Sequence, residues 1–395
     1  MIKVVRAAPF IKETVCNSSK SYSNRLLILG SLKGHFKIHN ISDSQDVVDM
    51  INCLEKVGLD IERDQSTVWI KNSFPSCEKV FSTLQLETGE GGTTNRFLIP
   101  FLALGKRAYR IIPHKRMKER PWGDIFEHLK ENGVRVETND RYWLEIQGPL
   151  KKIKRKITVD GSQSTQMASG LLMSFKEKAI SLEIKNLKSS KGYYELTQKL
   201  CNETRNINQC SVPVDFSSLS YPLALAALSG EVLIKNCFKK DPDQPDSQFL
   251  NYLEKIGSKL KWSNRGLLVK KSKLRSTEIN CRNHPDIFVT LVFLLSHIEG
   301  RSVIRGLESL IHKESNRLKE ALKLLDLFGK KYLLKKDSLI LEGDEKTRDF
   351  VEYSPPQDHR MVMGAYLFMR MNSGGKIYNA HYVHKSFPKF FEVME

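Results

Sequence analysis

A chain of 395 residues with 40% hydrophobic and 27% charged side chains excludes wholesale disorder. Its length exceeds one ordinary hydrophobic core and predicts two domains or one duplicated fold. Lys and Arg number 63 against 45 Asp and Glu, a net charge of +18, which suits an acidic surface, nucleic acid or small polyanionic substrates.

In chain order, the opening "MIKVVRAAPF" lacks an apolar h-region, so no secretory signal is expected. "NSSKSYSNRLLIL" (17–29) predicts a helix capped by Ser or Asn, with Lys20, Ser21 and Arg25 near its start to supply charge for a phosphate or carboxylate. "GEGGTTNRFL" follows from Gly89. Its glycines allow close backbone approach to a ligand, and the amides of the predicted helix start attract anions. Glu90 is the discordant residue in that loop. "HKRMKERPWGD" (114–124) carries five basic residues and one glutamate before a helix starting near Pro121, and alone reads as a solvated loop. The basic run "KKIKRKI" (151–157) reads as a solvated strand or linker in preference to a nucleic-acid patch.

"DGSQSTQMASGLLM" (160–173) leads a polar loop into an apolar helix. Ser164, Thr165 and Gln166 there suit phosphate and hydroxyl binding, or serve as an N-cap alone. In "HPDIFV", Asp286 heads a strongly apolar helix as a base or a cap. The longest apolar run, "IFVTLVFLL" at 287–295, is too short to span a bilayer. "HKESNRLKEAL" gathers Lys313, Glu314 and Arg317 within one helical turn, around an anion or as surface ion pairs. "DHRMVM" (358–363) and "HKSFPKFFE" (384–392) add Arg360 and Lys385 at two further element boundaries.

Four segments repeat one layout of amphipathic helix, glycine, strand, polar turn and strand. They start at residues 46, 121, 247 and 315, with Gly58, Gly133, Gly257 and Gly329 at the expected C-terminal caps. A weaker fifth copy is read at 193–208. Apolar helices alternate with the copies, so an α/β or α+β fold of roughly six similar units in two domains is expected. The seven cysteines are scattered without a CxxC pair, which indicates free thiols in a reducing, cytoplasmic setting. His381 and His384, near His359, are the best metal candidates, but no Cys or carboxylate pattern of a zinc site accompanies them; no metal is expected.

Taken in order, "SKSYSNR", "GEGGTTNRFL", "RMKERP", "DGSQSTQ", "SKGYYELT", "DFSSLSYPLA", "HKESNR", "DHRMVM" and "KSFPKFF" resemble the EPSP synthase family of enolpyruvyl transferases over nearly the whole chain. The resemblance implies an inside-out α/β barrel fold: two similar domains, each of three βαβαββ repeats. One domain would join 1–18 to 216–395 and the other would be the inserted 19–215, with the active site in the cleft between them. It also implies enolpyruvyl transfer from phosphoenolpyruvate to the 5-hydroxyl of shikimate 3-phosphate, through a tetrahedral ketal and with release of phosphate.

By the same resemblance Lys20, Gly92, Thr93, Arg116, Gln166, Arg317, Arg360 and Lys385 would meet phosphoenolpyruvate. Lys20, Ser21, Arg25, Ser164, Thr165, Gln166, Ser190, Tyr193, Asp286 and Lys313 would meet shikimate 3-phosphate. Lys20, Asp286 and Glu314 would be catalytic, Asp286 and Glu314 as the proton-transfer carboxylates. The implied protein is a cytoplasmic monomer without organic cofactor or metal, with no membrane or nucleic-acid partner. The chain departs from the family pattern at Ser18, at Asn316, at Pro245 in "QPD", and at Glu90 where asparagine is usual. An ionised carboxylate at 90 would repel substrate unless Lys20 or Arg116 pairs with it. Two alternatives therefore stand beside the main reading: a divergent member with another acceptor or none, and a non-catalytic basic module for nucleic acid.

Overall fold

Each of the four helix–glycine–strand–strand segments forms an amphipathic helix and an antiparallel hairpin, and each hairpin is half of a four-stranded sheet in the computed structural model of the protein. The structure describes residues 1–79, 82–139, 143–151, 156–176, 178, 180–344 and 349–395. Positions 152–155 of the basic run and 140–142 of the second repeat lie outside the described residues. Gly58, Gly133, Gly257 and Gly329 all have positive φ, between 63° and 110°. That conformation ends a helix and is adopted readily only without a Cβ.

The chain forms two compact units, Met1–Asn17 with Val214–Glu395, and Ser18–Pro213. In the Ser18–Pro213 unit, one sheet orders its strands Gln209–Ser211, Phe36–His39, Thr67–Ile70, Ile61–Asp64; a second orders Leu84–Gly89, Ala108–Pro113, Trp143–Gln147, Arg135–Asn139. In the other unit the corresponding sheets run Phe10–Thr14, Gly230–Ile234, Gly266–Lys270, Leu260–Ser263 and Glu278–Asn280, Gly300–Arg305, Ser338–Gly343, Lys331–Leu334. All four share one pattern, a parallel pair at one edge followed by two antiparallel pairings. A third, smaller sheet completes each unit: the parallel pair Lys156–Asp160 and Ser181–Lys185, and the parallel pair Val351–Tyr353 and Gly375–Ile377 extended by Lys3–Val5.

The expected fifth copy folds differently. Its helix, Lys191–Glu203, is followed by the single strand Gln209–Ser211, which crosses back to pair in parallel with Phe36–His39. It thus closes the first sheet and makes no hairpin of its own.

Three helices form the core of each unit. Lys20–Lys33, Gly92–Leu102 and Gln166–Phe175 pack on one another in the first, and Phe216–Ser229, Phe288–Ser296 and His359–Met371 in the second. All nine residues of Phe288–Ser296 and all eleven of Gly92–Leu102 are buried. Helices buried on every side read as continuous apolar runs, whereas the outer helices of the repeats keep one polar face. Helices therefore sit inside and sheets outside. No described helix is long and apolar enough to cross a membrane.

Candidate active site

In the Ser18–Pro213 unit, the core helices bring their N-termini to the same end. Asn24 donates to Thr93 Oγ1 at 2.7 Å, tying the first helix to the second, and Arg96 donates to Gln166 Oε1 at 2.7 Å, tying the second to the third. Each N-terminus leaves amide groups without intrahelical partners and carries the positive end of a helix dipole. Three of them together make a strongly anion-attracting surface before any side chain is counted.

The expected substrate residues of this unit gather around that end. Lys20 lies in the first turn of its helix and pairs with Asp46 at 2.7 Å; the Asp46 side chain is 2% exposed. Ser21 is half-buried, and its carbonyl accepts from Arg25. Gly92 opens the second core helix, and a Cβ built on it would stand 2.8 Å from Gln166 Oε1, 2.9 Å from Arg120 and 3.2 Å from Arg96. Thr93 follows, buried against Asn24. Ser164 accepts from the Gln166 amide at 3.2 Å, and Thr165 donates to the Ser190 carbonyl at 3.4 Å, so these two loops form one polar wall.

Arg25 lies beneath this wall. It is 1% exposed and donates to Thr197 Oγ1 and to the carbonyls of Ser21 and Tyr193 at 2.7–2.9 Å. Burial lowers its pKa to about 10. It braces the Ser21 and Tyr193 backbones together.

Two arginines that spacing did not single out stand closest to Gly92. Arg96, one helical turn on, is 1% exposed and also donates to the Pro121 carbonyl at 2.6 Å, its guanidinium 5.4 Å from the Trp122 ring centre. Arg120 is 8% exposed. The expected Arg116 instead has a side chain 37% exposed and pairs with Glu119 at 2.8 Å. Both Arg116 and Arg120 belong to "RMKERP", and only the turn geometry of Lys115–Lys118 separates the outward one from the inward one. Glu90 meets His114, Oε1 to Nδ1, at 3.6 Å, with 29% of its side chain exposed.

In the other unit the carboxylates dominate. Asp286 sits in the 3₁₀ turn Pro285–Ile287 that feeds the buried helix Phe288–Ser296. Its Oδ1 faces Arg317 at 2.7 Å and Lys313 at 3.3 Å; its Oδ2 faces Arg360 at 3.4 Å. Burial acts to raise its pKa, but Lys313, Arg360 and Arg317 together hold it well below the usual carboxylate range. Glu314 pairs with Arg317 at 2.5 Å. The Arg317 guanidinium also reaches Asp358 at 2.9 Å, so one buried cation serves three carboxylates. Burial works against its charge, yet Asp358, Glu314 and Asp286 raise its pKa further. Asp358 caps the helix His359–Met371 through the Arg360 amide and accepts from Ser315 at 3.0 Å. Arg360 donates to Ser217 at 3.1 Å and Tyr221 at 3.4 Å. Lys385 ends the 3₁₀ helix Ala380–Lys385, 7% exposed.

Such a cluster keeps Asp286 ionised and surrounds it with cations that an incoming anion would share. As the anion takes up positive charge, the carboxylate loses part of its stabilisation and becomes a better proton acceptor. Glu314, tied to the same arginine, is the second group able to exchange a proton.

Comparison with known proteins gives the chain relatives over nearly its full span. Residues 10–203 and 197–394 match the family described as EPSP synthase (3-phosphoshikimate 1-carboxyvinyltransferase). The 3-phosphoshikimate 1-carboxyvinyltransferase of Paraburkholderia phytofirmans is 31% identical, the match covering 95% of this chain and 94% of that protein. That of Proteus mirabilis is 28% identical with the same coverage. Among solved structures, an EPSP synthase from Acinetobacter baumannii has a TM-score of 0.78 at 19% identity, covering 99% of this chain and 97% of its own. The enolpyruvyl transferase NikO from Streptomyces tendae has 0.75 at 12% identity, covering 100% and 96%. These two structures share the fold of this chain.

Proposed function

The chain belongs to the EPSP synthase family, and from that premise we propose that it transfers the enolpyruvyl group of phosphoenolpyruvate to the 5-hydroxyl of shikimate 3-phosphate, a 3-phosphoshikimate 1-carboxyvinyltransferase. The observation that carries the reading is Asp286, a carboxylate held ionised by three cations with Glu314 on the same arginine.

The chemistry follows from these groups. The two substrates together bring two phosphates and two carboxylates, whose mutual repulsion must be offset by fixed cations and helix N-termini. Lys20, Arg96, Arg120, Gly92 and the Ser164–Gln166 wall supply such groups in one unit, and Lys313, Arg317, Arg360 and Lys385 supply them in the other. Arg120 takes the role that the sequence pattern suggested for Arg116, because it lies beside Gly92. Arg25 acts by bracing Ser21 and Tyr193.

In the addition step the 5-hydroxyl oxygen attacks C2 of phosphoenolpyruvate. Asp286 takes the hydroxyl proton while Glu314, which enters the step as the protonated acid, delivers its proton to C3, which gives the ketal. In the elimination step C3 returns its proton to Glu314, the double bond reforms, and phosphate leaves with the proton from Asp286. Exclusion of water around the reacting atoms protects the ketal.

Glu90, 3.6 Å from His114 and with 29% of its side chain exposed, fits this reading as a partly solvated acid. The protein acts as a monomer in the cytoplasm; the seven free thiols support a reducing compartment. The test is release of inorganic phosphate from phosphoenolpyruvate with shikimate 3-phosphate. Steady turnover supports the proposal; folded protein without phosphate release overturns it, and turnover only with another hydroxylated phosphate ester would assign a different acceptor.

A further inference from the structure

Asp286 is fixed on one side by the helix that follows it and pulled from another by three cations. What holds the chain ahead of it is a small network outside the substrate-facing groups. Tyr252, on the amphipathic helix Gln248–Lys255, is 8% exposed, and its hydroxyl lies 2.7 Å from the Asn280 carbonyl and 2.6 Å from His284 Nε2. His284 Nε2 is itself 3.0 Å from the same carbonyl.

The protons in this triangle follow from the chemistry of its members. A carbonyl only accepts, so the Tyr252 hydroxyl donates to it, and Nε2 must carry a hydrogen to approach both oxygens. Burial supports the neutral ring by lowering the His284 pKa to about 4, so no fourth cation competes for Asp286 near neutral pH.

The network joins two points of the chain. Asn280 ends the edge strand Glu278–Asn280, and His284 immediately precedes Pro285 and Asp286. The segment between them is folded back on itself, with the His284 amide donating to the Cys281 carbonyl at 3.0 Å and the Cys281 amide to the Arg305 carbonyl at 2.9 Å. Tyr252 thereby clamps both ends of the segment that presents Asp286.

We propose that Tyr252 and His284 are positioning residues for Asp286, setting where its carboxylate stands against the attacking hydroxyl. The proposal rests on the reading of Asp286 as the base. A misplacement on the order of 1 Å in such a group lowers turnover up to about a hundredfold without removing any substrate contact. The clamp should thus act on kcat and leave KM alone.

The experiment is steady-state phosphate release by the full chain carrying Tyr252→Phe, Asp286→Asn or both. Tyr252→Phe deletes one oxygen and keeps the ring. The expected result is kcat lowered about tenfold or more, KM for both substrates within about twofold, and no further loss when Tyr252→Phe is added to Asp286→Asn. Wild-type kcat in Tyr252→Phe, with Asp286→Asn inactive, overturns the clamp and leaves Asp286 as base. Near-normal kcat in Asp286→Asn overturns the base itself. Equal fold losses from Tyr252→Phe in both backgrounds, or a matching rise in KM, overturn the clamp in favour of a general packing role. His284→Gln against His284→Ala decides independently: the amide of glutamine still donates to a carbonyl, so recovery of kcat in the glutamine variant is expected, and equal activities of the two overturn the proposal.

Discussion

Arg317 carries a large share of the local electrostatic balance. It is 1% exposed and meets Asp286, Glu314 and Asp358, so Arg317→Ala would leave three carboxylates facing one another without their shared cation. Breaking a buried pair in this way costs about 3–5 kcal/mol, which urea unfolding of the variant would measure. Asp286 adds a pH dependence. Despite its burial, Lys313, Arg360 and Arg317 depress its folded-state pKa. Its contribution to stability is therefore fully present above the unfolded-state value of about 4 and is lost as pH falls through the folded-state value. Asp286→Asn should flatten the acid limb of a plot of unfolding free energy against pH. At Glu90 the change is in binding: Glu90→Gln removes a negative charge near the anion surface, worth about 1 kcal/mol at a solvated distance of about 4 Å. The KM for phosphoenolpyruvate should fall roughly fivefold; no change would mean that the His114 contact already removes Glu90 from the substrate's field.

Spacing along the chain puts Lys313, Glu314 and Arg317 within one helical turn, but the helix begins only at Arg317, with Lys313 and Glu314 in the bend before it; spacing still brings Glu314 and Arg317 together as a pair. It does not show partners 31 or 41 positions away, which is where Arg317 finds Asp286 and Asp358. Asp46, the partner of Lys20, was hidden for the same reason: in the sequence it is only the first acid of an amphipathic helix.

At the scale of elements, the start of the helix Gly92–Leu102 controls how closely its neighbours approach. A Cβ at Gly92 would press on the far ends of Gln166 and Arg120, which can swing aside, so Gly92→Ala should unfold at a temperature close to that of the wild type. The same displaced groups line the anion surface, so the KM for phosphoenolpyruvate should rise about tenfold, roughly 1.4 kcal/mol. An unchanged KM with an altered melting temperature would make Gly92 a packing residue only. The outer helices and their glycine caps were legible in the sequence because half-exposed helices carry a 3.6-residue period and their ends need a residue with positive φ. The core helices were legible as apolar runs, but a helix buried on all sides has no period to say which face meets which partner. Pairing of Gln209–Ser211 with Phe36–His39 was not legible either, because a three-residue strand carries too little pattern to announce a parallel partner some 170 residues earlier.

For the whole molecule, the two units differ in how their chains are supplied. Ser18–Pro213 is continuous, with all its sheets built from its own strands. Expressed alone, residues 18–213 should fold cooperatively, with a single urea transition by circular dichroism and by fluorescence. Residues 214–395 without 1–17 should not, since Phe10–Thr14 edges one sheet and Lys3–Val5 another. A stable, cooperative 214–395 fragment would show those strands to be dispensable.

The pairing of Lys3 with Ile377 has a consequence for biosynthesis. The strand Lys3–Val5 must wait until Gly375–Ile377 has been made, while the continuous unit between them can complete itself in the interval. Loop closure over such a span is entropically slow to find but grows only logarithmically more costly with length. A folded domain between the two partners draws their ends together, because near its two ends the Ser19 amide donates to the Pro213 carbonyl at 2.8 Å. The inserted unit, once folded, shortens the effective loop that the outer one has to close.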